Sequence, residues 1–274
     1  MIHASGGVCM RTLAHSHDGL VETAVPFPLP DDLLMRARLR LRGLLGFIAL
    51  LAACSIHAAA DPARWQAAID AFVAADRLHP PPPGSVLFTG SSSIVKWCTL
   101  EADFPGVPVL NRGFGGSTVA EVTAYADRVV LPYRPRLIVF YAGDNDIAEG
   151  HTPQRVATDV AAFVARVRRE LPGVPIVYIS IKPSPARWSL WPAMQEANRL
   201  IAAWAGGHDV RFVDVTKAML GAKGRPRAEL FGAGGLHMNS AGYALWSARL
   251  RPVIAALSAA PQAASGVPAA SASK

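Results

Sequence analysis

The stretch RLIVFYAGDND, residues 136–146, decides the fold. Its apolar run shows no polar alternation, so a strand built from it is covered on both faces; the glycine and short polar residues that follow mark an abrupt exit. Four further runs share that shape: SVLFTG (85–90), VPVLNRG (107–113), VPIVYISI (174–181) and VRFVDV (210–215). Amphipathic segments near 117–131, 153–171 and 192–205 separate them, and a last helical pattern covers about 240–257. Ahead of the first run, DPARWQAAIDAFVAADRLH offers Asp61 as an N-cap and Pro62 at the first helical position, with Trp65, Ile69, Phe72 and Val73 at helical spacing. The prolines at 80–83 end that helix. Apolar runs alternating with helices of this length predict a parallel sheet between two helical layers, a three-layer α/β/α sandwich.

The chain has 274 residues, 51% of them hydrophobic, enough for one large α/β domain. From Met35, MRARLRLRGLLGFIALLAACSIHAAA sets four arginines before a short apolar run. That is the pattern of an export signal, and the run is too short for a membrane span. The expected organisation is therefore an upstream extension and export signal over 1–60 with the true start at Met35, a folded domain over 61–257, and a disordered Ala, Ser and Pro-rich tail over 258–274. Two processing sites compete. AAA at 58–60 would release Asp61, whereas LAAC at 51–54 resembles a bacterial lipobox in which Cys54 is lipidated. Either exports the domain, as a periplasmic or secreted protein or as a lipoprotein held at the membrane through Cys54.

A net charge of +7 raises the question of an anionic partner. Beyond the signal the basic residues are scattered, with short clusters only in RVRRE (166–170) and KGRPR (223–227) and no aromatic-rich basic module. Nucleic acid is not an expected partner. Cys98 is the one cysteine past the signal, so no intramolecular disulfide forms, and no His/Cys cluster has zinc-ligand spacing. Its expected place is buried.

In an open parallel sheet, ligands bind beyond the carboxyl ends of the strands. The loops there read GSSS (90–93), GFGGST (113–118), GDND (143–146), KPSPARW (182–188) and, before the last helix, GGLHMN (234–239). A hydrolytic serine needs a base and donors for an oxyanion. The loops supply three serine hydroxyls, the His237 imidazole, the Asn145 amide and an unobstructed N–H at Gly116. Taken singly, each is an ordinary turn or structural residue. At successive strand ends, together, they point to acyl transfer.

Four stretches carry a resemblance: FTGSSSIVKW (88–97), NRGFGGST (111–118), YAGDNDIAEG (141–150) and GGLHMNSAGY (234–243). In that order they resemble the Ser, Gly, Asn and His blocks of the SGNH hydrolase superfamily, the GDSL-type esterases and lipases. The resemblance implies a flavodoxin-like sheet of five parallel strands and hydrolysis of a small-molecule or carbohydrate ester, with neither metal nor organic cofactor required. Laying Gly90 on the first block's glycine puts Ser92 on the nucleophile and Trp97 on the aromatic of a GSSSI branch; Ser93 is the next choice. It further implies His237 as base, and the N–H groups of Ser92 and Gly116 with the Asn145 side chain as oxyanion hole.

One departure stands out. The last block usually reads Asp-x-x-His, and here Gly234 lies three residues before His237. Three consequences are open: a Ser-His dyad with a backbone carbonyl holding the His tautomer, a substitute acid at Asp214 or Glu229, or a weakened or inactive envelope or carbohydrate-binding protein. On the substrate side, Lys182 and Arg187 in IKPSPARWSLW (181–191) are candidates to pair with an anionic or polyhydroxylated group. Trp188 or Trp191 would stack on a sugar face or acyl chain, unless both simply pack onto the domain. A phosphate-loop reading of NRGFGGST is disfavoured, because no Lys-Ser/Thr pair follows the glycines.

Overall fold

The computed structural model describes residues 62–259; the expected export signal, the candidate lipidation site at Cys54 and nearly all of the expected tail fall outside them. Five strands, β1 Val86–Gly90, β2 Val109–Gly113, β3 Leu137–Tyr141, β4 Ile176–Ile179 and β5 Val210–Val213, form one parallel sheet in the order β2-β1-β3-β4-β5. The main helices are α1 Gln66–Leu78, α2 Ser92–Val95, α3 Val119–Ala124, α4 Asp144–Ala148, α5 Pro153–Glu170, α6 Trp191–Ala205 and α7 Ser240–Ala259. The last of these runs two residues past the expected domain end at 257.

Side chains alternate across the pleat and feed two cores. Leu87, Ile138, Phe140, Ile176 and Tyr178 pack under α1, α3, α5 and α6, where Val156, Val160, Phe163, Val164 and Val167 form the apolar stripe of α5. On the other face, Val86, Phe88, Leu137, Val139 and Tyr141 meet Ile94 of α2 and Tyr243, Trp246 and Leu250 of α7. Both faces of β1 and β3 are therefore dry, as the unbroken apolar runs require.

The predicted helix over 117–131 is broken into α3 and two shorter turns, Ala126–Val129 and Leu131–Tyr133. Tyr125 leaves helical geometry at ψ 3°, and Pro132 brings no N–H to continue the ladder. The start of α3 is fixed by a capping box, Thr118 Oγ1 accepting from Glu121 N while the Glu121 carboxylate accepts from Thr118 N.

Two devices set the functional end of the sheet. An aromatic cluster joins Phe88 and Trp97, with centroids 5.6 Å apart, to Tyr243 at 5.1 Å and Trp246 at 5.9 Å from Trp97. The Tyr243 hydroxyl donates to Ser93 O at 3.0 Å, so the helix after the histidine loop is bonded to the helix after β1. The second device is Gly90, which pairs with Gly113 of β2 and Tyr141 of β3. It sits at φ +130°, and a Cβ there would lie 1.8 Å from Tyr141 O. Gly90→Ala is expected to lose more than ~3 kcal/mol of unfolding free energy in a urea titration, or to yield no folded protein. A loss below ~1 kcal/mol would contradict this close approach.

Candidate active site

Because β1 ends at Gly90 with its neighbours in register, the chain turns sharply into α2, and Ser91 N donates to Tyr141 O at 3.0 Å. The three serines are then no longer equivalent. Ser91 and Ser93 are buried, whereas Ser92, at the first position of α2, is half-buried and its Oγ lies 3.0 Å from His237 Nε2. Ser92 Oγ thus has the His237 ring as partner, whereas Ser93 Oγ has no hydrogen-bond partner among the described residues.

Three neighbouring loops carry donors with hydrogens to spare. Neither the Ser92 N–H nor the Gly116 N–H has an acceptor among the described residues. Gly115 packs so closely that a Cβ there would stand 3.7 Å from Ser92 Cβ. Asn145, at the start of α4, donates from Nδ2 to Ser117 O at 3.0 Å, which leaves its second amide hydrogen uncommitted. Gly116 is left-handed at φ +83° beneath the Trp65 ring, where a Cβ would meet the ring at 3.2 Å. Arg64 bonds Gly116 O at 3.2 Å and Glu121 at 2.9 Å. The N-terminal turn Pro62–Trp65 thus braces the glycine loop. Sequence periodicity shows only that Trp65 lies on an apolar face, so this contact was not foreseen.

A family model described as GDSL-like Lipase/Acylhydrolase matches residues 89–245, from the last turn of β1 into α7. The chain belongs to this family. No curated protein matches it. Among solved structures, it is similar to a GDSL-like lipase from Bacteroides thetaiotaomicron, at 21% identity and a TM-score of 0.60 over 69% of this chain and 97% of that one. A protein described as an acylhydrolase from Bacteroides fragilis gives 22% identity and a TM-score of 0.60 over 68% and 95%. An acetylxylan esterase from Geobacillus stearothermophilus gives 17% and 0.52 over 62% and 94%. At these identities the likeness shows the fold, the α/β arrangement of the GDSL-type hydrolases.

The consequences expected from Gly234 can be followed at the histidine. His237 Nδ1 has no hydrogen-bond partner among the described residues, so no backbone carbonyl holds its tautomer. Neither expected substitute acid reaches it. Asp214 Oδ1 accepts from Thr216 N at 2.8 Å and Thr216 Oγ1 at 2.6 Å, and Glu229 pairs with Arg227 at 2.8 Å. Both are spent locally, on a turn and on a surface ion pair. A Cβ at Gly234 would meet nothing within 4 Å, and its φ is ordinary, so an aspartate fits there. The His237 pKa is held below its usual 6.5, first by partial burial and then by the charges of Lys96 and Lys182, with Asp144 opposing.

The substrate-side expectations need correction. Lys182 does not face a ligand: it is 1% exposed, its Nζ 2.9 Å from Asp144 Oδ2 and 3.1 Å from the Tyr141 hydroxyl. A buried ammonium needs such a partner, and the two groups that supply it come from β3 and α4, far upstream in the chain. Burial alone would raise the Asp144 pKa; Lys182 and then Arg187 outweigh it and hold the carboxyl below its usual value. Arg187 turns toward Asn145, its Nη2 2.9 Å from Asn145 Oδ1. Trp188 stacks on Trp191, centroids 6.0 Å apart and 14° from parallel, with the Arg225 guanidinium over its ring. Trp191 is buried in the core, and Trp188 packs on it while remaining half-buried. Cys98 is exposed rather than buried, because Trp97 takes the inward position at the end of α2.

One further group adjoins the site. Asp146, fully buried, accepts the Val119 N–H at 3.1 Å and so ties α4 to the start of α3. Its ligand atoms, with those of His151 and Asp159, lie within 4.8 Å of one another. Arg155 already takes both Asp159 oxygens at 2.8 Å, which argues for an internal ion-pair network over a cation site. Burial pushes the Asp146 pKa up to about 7, against the Val119 N–H that favours the carboxylate. A raised carboxyl pKa stabilises the fold below the unfolded value near 3.8, and that stabilisation is lost as pH rises toward 7. Compared with Asp146→Asn, the wild type should therefore lose on the order of 4 kcal/mol of unfolding free energy between about pH 4 and pH 8. Parallel stability curves for the two proteins would refute it.

Proposed function

We propose that the domain is a serine ester hydrolase that works with a Ser92–His237 dyad and no third acid. The observation that carries this is the 3.0 Å contact between Ser92 Oγ and His237 Nε2; the uncommitted Ser92, Gly116 and Asn145 N–H groups, on loops at the same end of the sheet, are its candidate oxyanion donors. The family membership supports acyl-ester chemistry. The likeness to an acetylxylan esterase supports an acetylated carbohydrate or another short acyl ester as substrate.

In the proposed reaction, Ser92 Oγ attacks the ester carbonyl carbon while its proton passes to His237 Nε2. The carbonyl oxygen becomes an oxyanion held by the three donors, each worth on the order of 10²-fold in rate. Collapse breaks the bond to the alcohol, which leaves with the proton from His237. Water then repeats the sequence on the acyl-serine, releasing the carboxylic acid and restoring both side chains. Nε2 must be the unprotonated nitrogen, so the proton sits on Nδ1. Among the described residues that N–H faces no carboxylate. The export expected from the sequence would place the reaction in the cell envelope, and the same fold without turnover, as a binding protein, is the alternative that the bare Nδ1 favours.

Hydrolysis of an aryl acetate and of acetylated xylo-oligosaccharides by the full chain tests the reading. Wild type should turn over with an acid limb in kcat/KM below pH 6.5, and Ser92→Ala should lose at least ~10³-fold. Gly234→Asp should raise kcat/KM by ~10-fold or more, within the ~10⁴ that an orienting carboxylate provides in a serine protease. Its negative charge favours imidazolium, so the acid limb should move to higher pH. Equal inertness of wild type and Ser92→Ala, with activity appearing in Gly234→Asp, would establish the binding-protein alternative.

A further inference from the structure

Arg187 occupies a place the proposed reaction does not yet use. It lies in the turn Pro185–Leu190, and the N–H of Ala186 beside it donates to Gly235 O at 3.1 Å, so the turn is tied to the loop that carries His237. Its guanidinium does not extend into solvent; the side chain is 19% exposed. Nη2 donates to Asn145 Oδ1 at 2.9 Å, and Nη1 lies 3.4 Å from Asp144 Oδ2.

We propose that Arg187 is a positioning residue of the oxyanion hole, acting through Asn145. This rests on the dyad reading above. The Asn145 amide is clamped at both ends, its oxygen by a cationic donor and its nitrogen by Ser117 O at 3.0 Å. Rotating the amide by 180° would set N–H against the guanidinium and oxygen against a carbonyl, so only one orientation satisfies both neighbours. That orientation fixes where the second N–H points. The clamp also polarises the donor, because a positive charge on the amide oxygen draws electron density away from the nitrogen.

The charge balance strengthens the argument. Asp144 Oδ2 is shared between Lys182 Nζ at 2.9 Å and Arg187 Nη1 at 3.4 Å. Two cations therefore face one anion, and one positive charge remains uncompensated behind Asn145 in a poorly hydrated setting. Negative charge that develops on the substrate oxygen gains from it only as the tetrahedral species forms, which is the condition for raising kcat rather than lowering KM. A lysine at 187 would keep the charge and lose the planar fork that reaches Asn145 and Asp144 together.

A double-mutant cycle on the full chain with an aryl acetate decides the matter. Arg187→Gln should lower kcat by ~10- to 100-fold with KM changed by less than about threefold, and Arg187→Lys should fall between it and wild type. Asn145→Ala should lower kcat by ~10²-fold, and adding Arg187→Gln to it should cost less than about threefold more. A full multiplicative loss in the Asn145→Ala background, or an effect confined to KM, would overturn the proposal. Circular dichroism and thermal midpoints check folding; if Arg187→Gln does not fold, the Arg187→Lys cycle is read in the same way. Should wild-type turnover be undetectable, the cycle is built on Gly234→Asp. Unchanged kcat in Asn145→Ala alone, or no turnover in either background, would instead overturn the dyad and oxyanion reading, and this inference with it.

Discussion

The register of β1 against both neighbours is the constraint from which the rest follows. Gly90 stands opposite Gly113 on one side and Tyr141 on the other, and its missing side chain lets the Tyr141 carbonyl pass where a Cβ would be. The chain leaves β1 toward β2 at the sheet edge and returns past it to β3, so strand order reverses between β1 and β3. Three loops must therefore emerge side by side. Strand pairing brings the loops that carry the serine, glycine and asparagine to one end of the sheet, and side-chain bonds such as Asn145 Nδ2 to Ser117 O then join them.

The histidine comes from much later in the chain and needs a separate anchor. It arrives on a loop closed by the Gly232 N–H to His237 O bond at 3.0 Å and followed by α7, whose first turn is capped by the Asn239 side chain. Tyr243 and Trp246, one and two turns on, then lock α7 into the aromatic cluster with Trp97. The base is held by packing and backbone bonds. That is consistent with a loop that keeps its shape without an aspartate at 234, since no element of this anchoring passes through that position.

Much of this was legible in the sequence, and the reasons differ by element. Five apolar runs without alternation identify strands buried on both faces, and glycine after β1 and β3 marks the turns that expose a polar residue. Those signals are local. What stayed hidden depends on long-range partners. Lys182 reads as a charge in a proline-rich loop until Asp144 and Tyr141 are seen to lie against it. Arg187 reads as a ligand-facing cation for the same reason. Cys98 and Trp97 are adjacent, and only the packing of α2 decides which one turns inward. Four-residue helices such as α2 fall below the length at which periodicity is visible.

The turn Pro62–Trp65 carries a consequence for where this domain begins. By the usual measure, a domain starts where its core starts, and here the first core residue is Ile69 of α1. Yet Trp65 roofs Gly116, and Arg64 grips that glycine's carbonyl. The residues just ahead of α1 are therefore parts of the glycine-loop surface and not a spacer. Whatever is joined upstream of them, a leader, an anchor or another module, inherits a junction only a few residues from that loop.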